Sequence, residues 1–361
     1  MTVRVARNFR LSFAFVFLSC GLLVATERLT LDGTLGSETT FWRPVFELNA
    51  CQTGLLCACY WSPAEVKLFQ LPGGTLLGSF DFDKGLFDVA THPSGDLVAV
   101  ASDSLSLISK KSDRWIAVRC DSSFAQDVSA LTFAADRQTL FLGNRRGDVM
   151  STRLNPLRGD LRLKLFAGQV FDLKTSKNQK FLVALGLDEP FPELNFTPGE
   201  SDEEVYRKVA TFAEASRVMT CTLHVISVAQ WRSIRAIRHR KAIRAFAISP
   251  DNVNLAIVDA SNRITVRDLQ SGAIRAHWRG DERGEVVDID YSRNGRFLAT
   301  VSTGFDGASL QVWNARTGAM VEMHEGPVLG FYSVAFVAEG RLIVGGATGQ
   351  LTMFRFDDEQ E

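Results

Sequence analysis

Cys57 and Cys59 stand one residue apart, a spacing at which two thiolates can share a metal ion. Such a site needs further ligands. The five histidines, His92, His224, His239, His277 and His324, are scattered along the chain, none at metal-ligand spacing. No glycine-rich phosphate loop, nucleophile elbow or haem attachment motif occurs. The residue types therefore nominate no catalytic group, no metal ligand and no cofactor. The densest charged segment is RSIRAIRHRKAIR, residues 232–244. Its His239, Arg240 and Lys241, with Arg145 and Arg146 elsewhere, carry donors suited to a phosphate, a carboxylate or an acidic partner segment. The same cations can equally pair with acids of their own chain or stay solvated. Arg146-Gly147-Asp148 spells an integrin-recognition tripeptide, but it reads as a hairpin turn with glycine at positive φ.

The elements that carry these residues follow from a recurring segment. It begins at Val45, Phe87, Ser129, Phe171, Arg244, Val287 and Tyr332, with spacings of 42, 42, 42, 73, 43 and 45 residues. Each copy is an alternating apolar run, a polar turn and a second apolar run, as in FDVATHPSGDLVAVAS from Phe87 and RAFAISPDNVNLAIVD from Arg244. A third and a fourth strand follow in most copies, and Pro93 and Pro250 fall in turns. Four short strands per 40–45 residues predict β-propeller blades, hence an all-β fold with one seven-bladed ring. The seventh copy lacks a fourth strand, and RLTLDGTL at residues 28–35 is a spare one. An open ring would expose two sheet edges, so this N-terminal strand is expected to complete the last blade. Cys57 falls in a column with Ala99, Ala256 and Val344, and Cys59 in one with Ala101, Val258 and Gly346, so both thiols read as buried hydrophobes. Glu47 falls in a column otherwise filled by Val89, Leu131, Leu173, Phe246, Ile289 and Val334, which marks blade 1 as the weakest unit.

The quoted segments also resemble the WD-repeat family. The resemblance rests on the turn Ser249-Pro250-Asp251, on the strand endings Val312-Trp313-Asn314-Ala315 and Val266-Arg267-Asp268-Leu269, and on the following Gln270-Ser271-Gly272 and Arg316-Thr317-Gly318. It covers roughly residues 28 to 356. No third strand ends in Trp-Asp, and the family's Gly-His pair is missing. The resemblance implies a binding scaffold whose loops between second and third strands surround the channel on the top face.

The 73-residue spacing holds the one interruption, residues 188–217, between the second and third strands of blade 4. Pro190, Pro192 and Pro198 mark its first half as loop. Ser201 with Glu204 forms a capping box, and Val205, Val209, Phe212 and Ala213 form a helical stripe, so a short amphipathic helix over about 202–215 is expected. With eight acidic against three basic residues, the segment is an acidic lid or docking element, or else a tolerated insertion packed on its own blade. Glu203, Glu204 and Tyr206 join Arg145, Arg146, His239, Arg240 and Lys241 as partner-contact candidates. Asn195-Phe196-Thr197 is a glycosylation sequon.

Residues 1–25 stand apart. Arg4, Arg7 and Arg10 precede the apolar run LSFAFVFLSCGLLVA, which is shorter than the ~20 residues of a membrane span. A signal peptide cleaved after Ala25, with secretion or delivery to the periplasm or envelope, is the expectation. Phe17-Leu18-Ser19-Cys20 resembles a bacterial lipoprotein box, and a retained segment on a cytoplasmic protein stays open. Net charge is −1 across 361 residues, so no field steers the chain to nucleic acid. These features point to a non-enzymatic protein- or peptide-binding platform, monomeric or part of a larger assembly, with no transmembrane span in its mature form. An enzyme using the central channel, such as a quinoprotein-like dehydrogenase or a hydrolase, is the alternative. The blade columns are mainly apolar and small, which disfavours it.

Overall fold

A computed structural model describes residues 29–35, 44–51, 53–60, 63–102, 104–120, 125–154, 157–190, 204, 207, 220–239, 241–304, 307–327, 330–337 and 340–356. Seven antiparallel four-stranded sheets form a seven-bladed β-propeller. Six blades are plain meanders, each running in sequence from an inner strand to an outer one. The seventh has the closing strand Leu29–Leu35 at its outer edge. That strand pairs antiparallel with Leu351–Phe356, from Leu29 opposite Phe356 to Leu35 opposite Leu351. First and last strands thus share one sheet, as the spare-strand reading expected. The 1–25 segment lies outside the described residues. Among the described residues, no helix is long and apolar enough to cross a membrane.

The inner strands are Val45–Ala50, Asp88–Thr91, Val128–Phe133, Val170–Thr175, Ile243–Ile248, Glu285–Tyr291 and Phe331–Phe336. In six of them the register slips by one residue, at Phe46, Ser129, Phe171, Arg244, Val287 and Tyr332. The bulge fixes the frame, and it corrects the sequence alignment in two blades. Glu47 pairs with Cys59 as Asp88 pairs with Ala101, Asp172 with Leu185 and Asp288 with Val301. Blade 1 therefore starts at Phe46, and Glu47 belongs with Asp88, Asp172 and Asp288 rather than with Val89. In blade 7, Ser333 pairs with Gly345 and Ala335 with Ile343, so Gly345 and Ile343, not Gly346 and Val344, align with Cys59 and Cys57. The physical reason is common to both blades. Their first hairpin is one residue shorter than in the other five, with Leu48 opposite Ala58 and Val334 opposite Val344.

Side chains pack between neighbouring sheets. Cys57 and Cys59 are fully buried with Leu55, Val66, Leu68 and Val100, which is the hydrophobic role expected of them. Burial first, then its neighbour Cys57, pushes the Cys59 thiol well above its ordinary pKa.

Polar side chains on one inner strand also take up backbone groups of the next. Asp88 accepts from Val89 N at 2.7 Å and from Leu131 N of blade 3 at 2.8 Å. Asp288 accepts from Ile289 N and from Val334 N of blade 7, both at 2.9 Å. Asp290 accepts from Tyr291 N at 2.9 Å and Phe336 N at 2.8 Å. Asn49 accepts from Thr91 N at 3.0 Å, and Ser333 Oγ donates to Val45 O at 2.8 Å across the ring closure.

Deleting residues 29–35 leaves the Leu351–Phe356 edge unpaired beside blade 6. The expected outcome is a lower melting temperature with loss of monomer to aggregates, measured by calorimetry and size-exclusion chromatography. An unchanged monomer with an unchanged melting temperature would contradict closure by this strand.

Candidate functional site

In this meander, connections between second and third strands and connections between blades emerge at one end, here the top face. The other two kinds of turn emerge at the bottom. The two ends of the insertion, Asp188 and Thr220, are on top, and so are the basic candidates Arg145, Arg146, His239 and Lys241. Arg145 and Arg146 form the hairpin between Thr139–Asn144 and Asp148–Leu154 of blade 3. His239 and Lys241 flank the crossing from Arg232–His239 of blade 4 to Ile243–Ile248 of blade 5.

Several of these cations are already engaged. The Arg145 guanidinium lies 4.3 Å from the centre of the Phe87 ring. Arg146 Nη2 is 3.2 Å from Asp127, and its carbonyl accepts from Lys164 Nζ. His239 Nε2 is 3.8 Å from Asp259, and its Nδ1 is 3.2 Å from Lys241 O. Glu204 and Arg207 have helical backbone and exposed side chains. The rest of the expected helix, with Glu203, Tyr206 and the crossing residue Arg240, lies outside the described residues. The neck of the insertion is tied by Asp188 N to Thr220 O at 3.1 Å and Thr222 Oγ1 to Asp188 Oδ2 at 2.6 Å. A Cβ at Gly168 would sit 2.1 Å from Glu189 O, so only glycine lets the neck pass there.

Lys241 belongs to a different environment. With Ser261, Arg263, His277, Trp278 and Arg279 it lines a cleft of about 330 Å3 on the top rim of blade 5. Arg263 and Arg279 are directly opposite each other on neighbouring strands, and His277 faces Thr265 two residues along. Like charges opposed in this way are destabilising. Among the described residues no carboxylate pairs with Lys241 or Arg263. Among the described residues Arg279 reaches only the exposed Glu282, at 3.9 Å. Burial first, then the Arg263 charge, lowers the pKa of Arg267 four residues along the same strand. The Trp278 indole N–H is buried with no acceptor among the described residues. Sequence reading found Lys241 through the basic run but missed Arg263, His277 and Arg279, because strand pairing brings them together.

The central channel is polar where apolar columns were expected. Lys174 of blade 4 has its ammonium 3.8 Å from Asp172, with its side chain about 33% exposed. Desolvation opposes its charge, but Asp172, Asp288, Glu47 and Asp290 together outweigh that and raise its pKa above the ordinary lysine value. These carboxylates come from blades 1, 4 and 6, so they converge across the ring axis. Burial first, then the charges of Glu47 and Asp172, pushes Asp88 well above the usual carboxylate range. Among the described residues no group of three or more His, Cys, Asp or Glu is arranged to hold a metal ion. Asp88, Asp288 and Asp290 are committed to backbone N–H groups, so the cluster is first a device for joining blades.

No protein-family model and no curated protein matches this chain.

Burial raises Asp290 from 3.8 to about 6, against the lowering effects of Phe336 N–H and Lys174. Between those values the folded chain holds a proton that the unfolded chain has released. The stability due to this group is therefore full below about pH 4 and lost as pH rises through about 6; Asp88 acts in the same sense. Asp290→Asn is expected to flatten that part of the pH–stability curve, measured by urea unfolding at a series of pH values. Lys174→Met is expected to steepen it. Parallel curves for all three proteins would refute the coupling.

Proposed function

We propose that this chain is a non-enzymatic interaction platform of WD-repeat-like type that captures an acidic protein segment on its top face. The observation that carries the reading is the opposed pair Arg263–Arg279 with Lys241 and His277 around one cleft. A fold gains nothing from two arginines placed directly opposite each other with so little neutralisation. A partner's carboxylates would supply the missing charge, with Arg in the planar, two-pronged geometry that suits them. Closed scaffolds bind well because their loops are held before the partner arrives. The acidic composition of the insertion, whose two ends leave the ring on the same face, supports a role as competitor or guide for that segment. The commitment of channel carboxylates to backbone N–H groups speaks for a scaffold rather than for an enzyme using the channel. The basic start and apolar run of residues 1–25 support export, and intact mass of the native protein is expected to correspond to a chain beginning at Thr26.

The double variant Arg263→Glu/Arg279→Glu is expected to abolish binding of a poly-glutamate peptide, measured by isothermal titration at low salt. Binding by the parent chain should weaken as salt rises. The single variant Arg263→Ser removes the opposed like charges, so its stability should stay within about 0.5 kcal/mol of the parent or rise. Retained binding in the double variant would sink this assignment. Replacing residues 190–215 with a short glycine linker should leave the melting temperature unchanged, since the segment is outside the meander, and should abolish capture of the native partner in a pull-down. Unchanged capture would remove the insertion from the docking surface.

A further inference from the structure

The outer strand of each blade lies on the circumference of the ring, and its charges sort by sign around that circumference. The outer strands of blades 2 to 5 are Arg114–Arg119 (RWIAVR), Leu157–Lys164 (LRGDLRLK), Arg232–His239 (RSIRAIRH) and Ile274–Arg279 (IRAHWR). They carry two, three, three and two Lys or Arg, ten together, against one carboxylate, Asp160. All ten cations are exposed. The outer strands of blades 6, 7 and 1 are Met320–Glu325 (MVEMHE), Leu29–Leu35 (LTLDGTL) and Thr75–Asp81 (TLLGSFD), with four carboxylates and no Lys or Arg. Successive blades are neighbours in space, so the basic strands form one unbroken arc over four of the seven blades.

Charged side chains on an exposed strand also keep a sheet edge from pairing with other chains. Carboxylates protect an edge as well as cations do, so that need alone does not separate the two signs. Part of the arc is neutralised by its own chain. Arg158 lies 3.4 Å from Asp160, Arg162 lies 2.7 Å from Asp148 and Arg275 lies 2.5 Å from Asp268. In blade 4 the guanidiniums have neutral acceptors instead. Arg232 Nε donates to Gln230 Oε1 at 2.8 Å, and Arg235 Nε donates to Gln270 O at 3.3 Å. Among the described residues no carboxylate pairs with Arg232, Arg235 or Arg238.

The shape of the arc selects its occupant. A flat anionic bilayer touches a convex rim along a narrow line, so it cannot reach cations spread over more than half of the circumference. A flexible linear polyanion can wrap them. Nine of the ten cations are Arg, whose planar fork suits carboxylate and phosphate oxygens. Single-stranded nucleic acid is held largely by aromatic rings on which its bases stack. The exposed large apolar residues of the arc are aliphatic instead: Ile116, Val118, Leu161 and Ile274. Aliphatic side chains interleaved with arginines match an acidic polypeptide that carries apolar residues of its own. Arg279 belongs both to the arc and to the cleft on the top rim of blade 5, so the two surfaces are continuous.

We propose that the outer arc of blades 2 to 5 is a track for a long, flexible acidic segment of a partner protein. The segment runs from the cleft at Arg279 along the rim, with its carboxylates on the arginines and its apolar side chains on residues such as Ile274 and Leu161. The track presupposes that the cleft docks an acidic segment, and it adds the length and the apolar content of that segment. Once the cleft is occupied, each further contact along the rim is intramolecular, so weak contacts accumulate into a tight complex.

The test measures binding of labelled probes to the full chain by fluorescence anisotropy at low salt. Hexaglutamate is too short to leave the cleft. A peptide of about 30 residues, roughly 100 Å when extended, has leucines spaced among its glutamates. An oligothymidylate of the same net charge is the third probe. The long peptide is expected to bind at least about tenfold tighter than either of the others. The variant Arg232→Gln/Arg235→Gln/Arg238→Gln changes exposed residues that do not line the cleft. It is expected to bind the long peptide about tenfold more weakly, with a shallower salt dependence, and hexaglutamate as before. The comparison of probes on the parent chain stands whether or not the variant folds. Equal affinity for the long and short peptides, equal affinity for the oligothymidylate, or unweakened binding by the folded variant would each overturn the track, while binding of hexaglutamate would leave the cleft reading in place. Long-peptide binding that survives Arg263→Glu/Arg279→Glu and falls in the blade 4 variant would support the track and remove the cleft. Absence of binding by all three probes would overturn both.

Discussion

Acceptors on one inner strand take backbone N–H groups of the next, and the ring depends on this contact more than on any other polar one. Asp88 reaches Leu131, Asp288 reaches Val334 and Asp290 reaches Phe336. Each joins two blades where the sheets come closest to the axis and where no regular ladder bond connects them. Charge-assisted bonds of this kind are short and strong, but they bring carboxylates into a narrow space. Asp88 and Asp290 respond with raised pKa values, and Lys174 supplies a compensating ammonium. Lys174 occupies the same inner-strand position as Asn49 and Asp290, as their pairings with Val183, Cys57 and Ala299 show. Having no acceptor, it cannot clamp the next blade, and it neutralises the clamps of the others instead.

The same rigidity explains how the two faces can differ. With the strands held at the axis, the turns at either end vary without disturbing the ring. On top, Arg146 and His239 are drawn into contacts with Asp127 and Asp259, whereas Lys241 and Arg263 remain uncompensated among the described residues. At the bottom, Asp136 and Asp160 are absorbed by a turn and by arginines, and a cleft with Trp231 stacked on Phe141 is left between blades 3 and 4. Local charge balance, rather than the number of charged residues, separates the one surface from the other.

Period and strand count, which any chain of this kind displays as alternating runs, determined the fold: seven units of four strands, the last of which lacks its own fourth and takes the spare N-terminal strand instead. Cys57 and Cys59 were readable as core residues because the other copies have small or apolar residues in their place. Those features repeat along the chain, so they survive without knowledge of contacts. The sequence also placed Lys241 in a basic run, through simple proximity in number. Only the tertiary structure decided that Glu47 joins the acidic column, since hairpins one residue shorter in blades 1 and 7 shift the frame by an amount that periodicity does not register. It alone brought Arg263 opposite Arg279, gathered carboxylates from three blades around Lys174, and set Trp231 over Phe141. Those arrangements join residues from separate strands and blades, and a distance across a ring is set by how sheets close on one another, not by spacing along the chain.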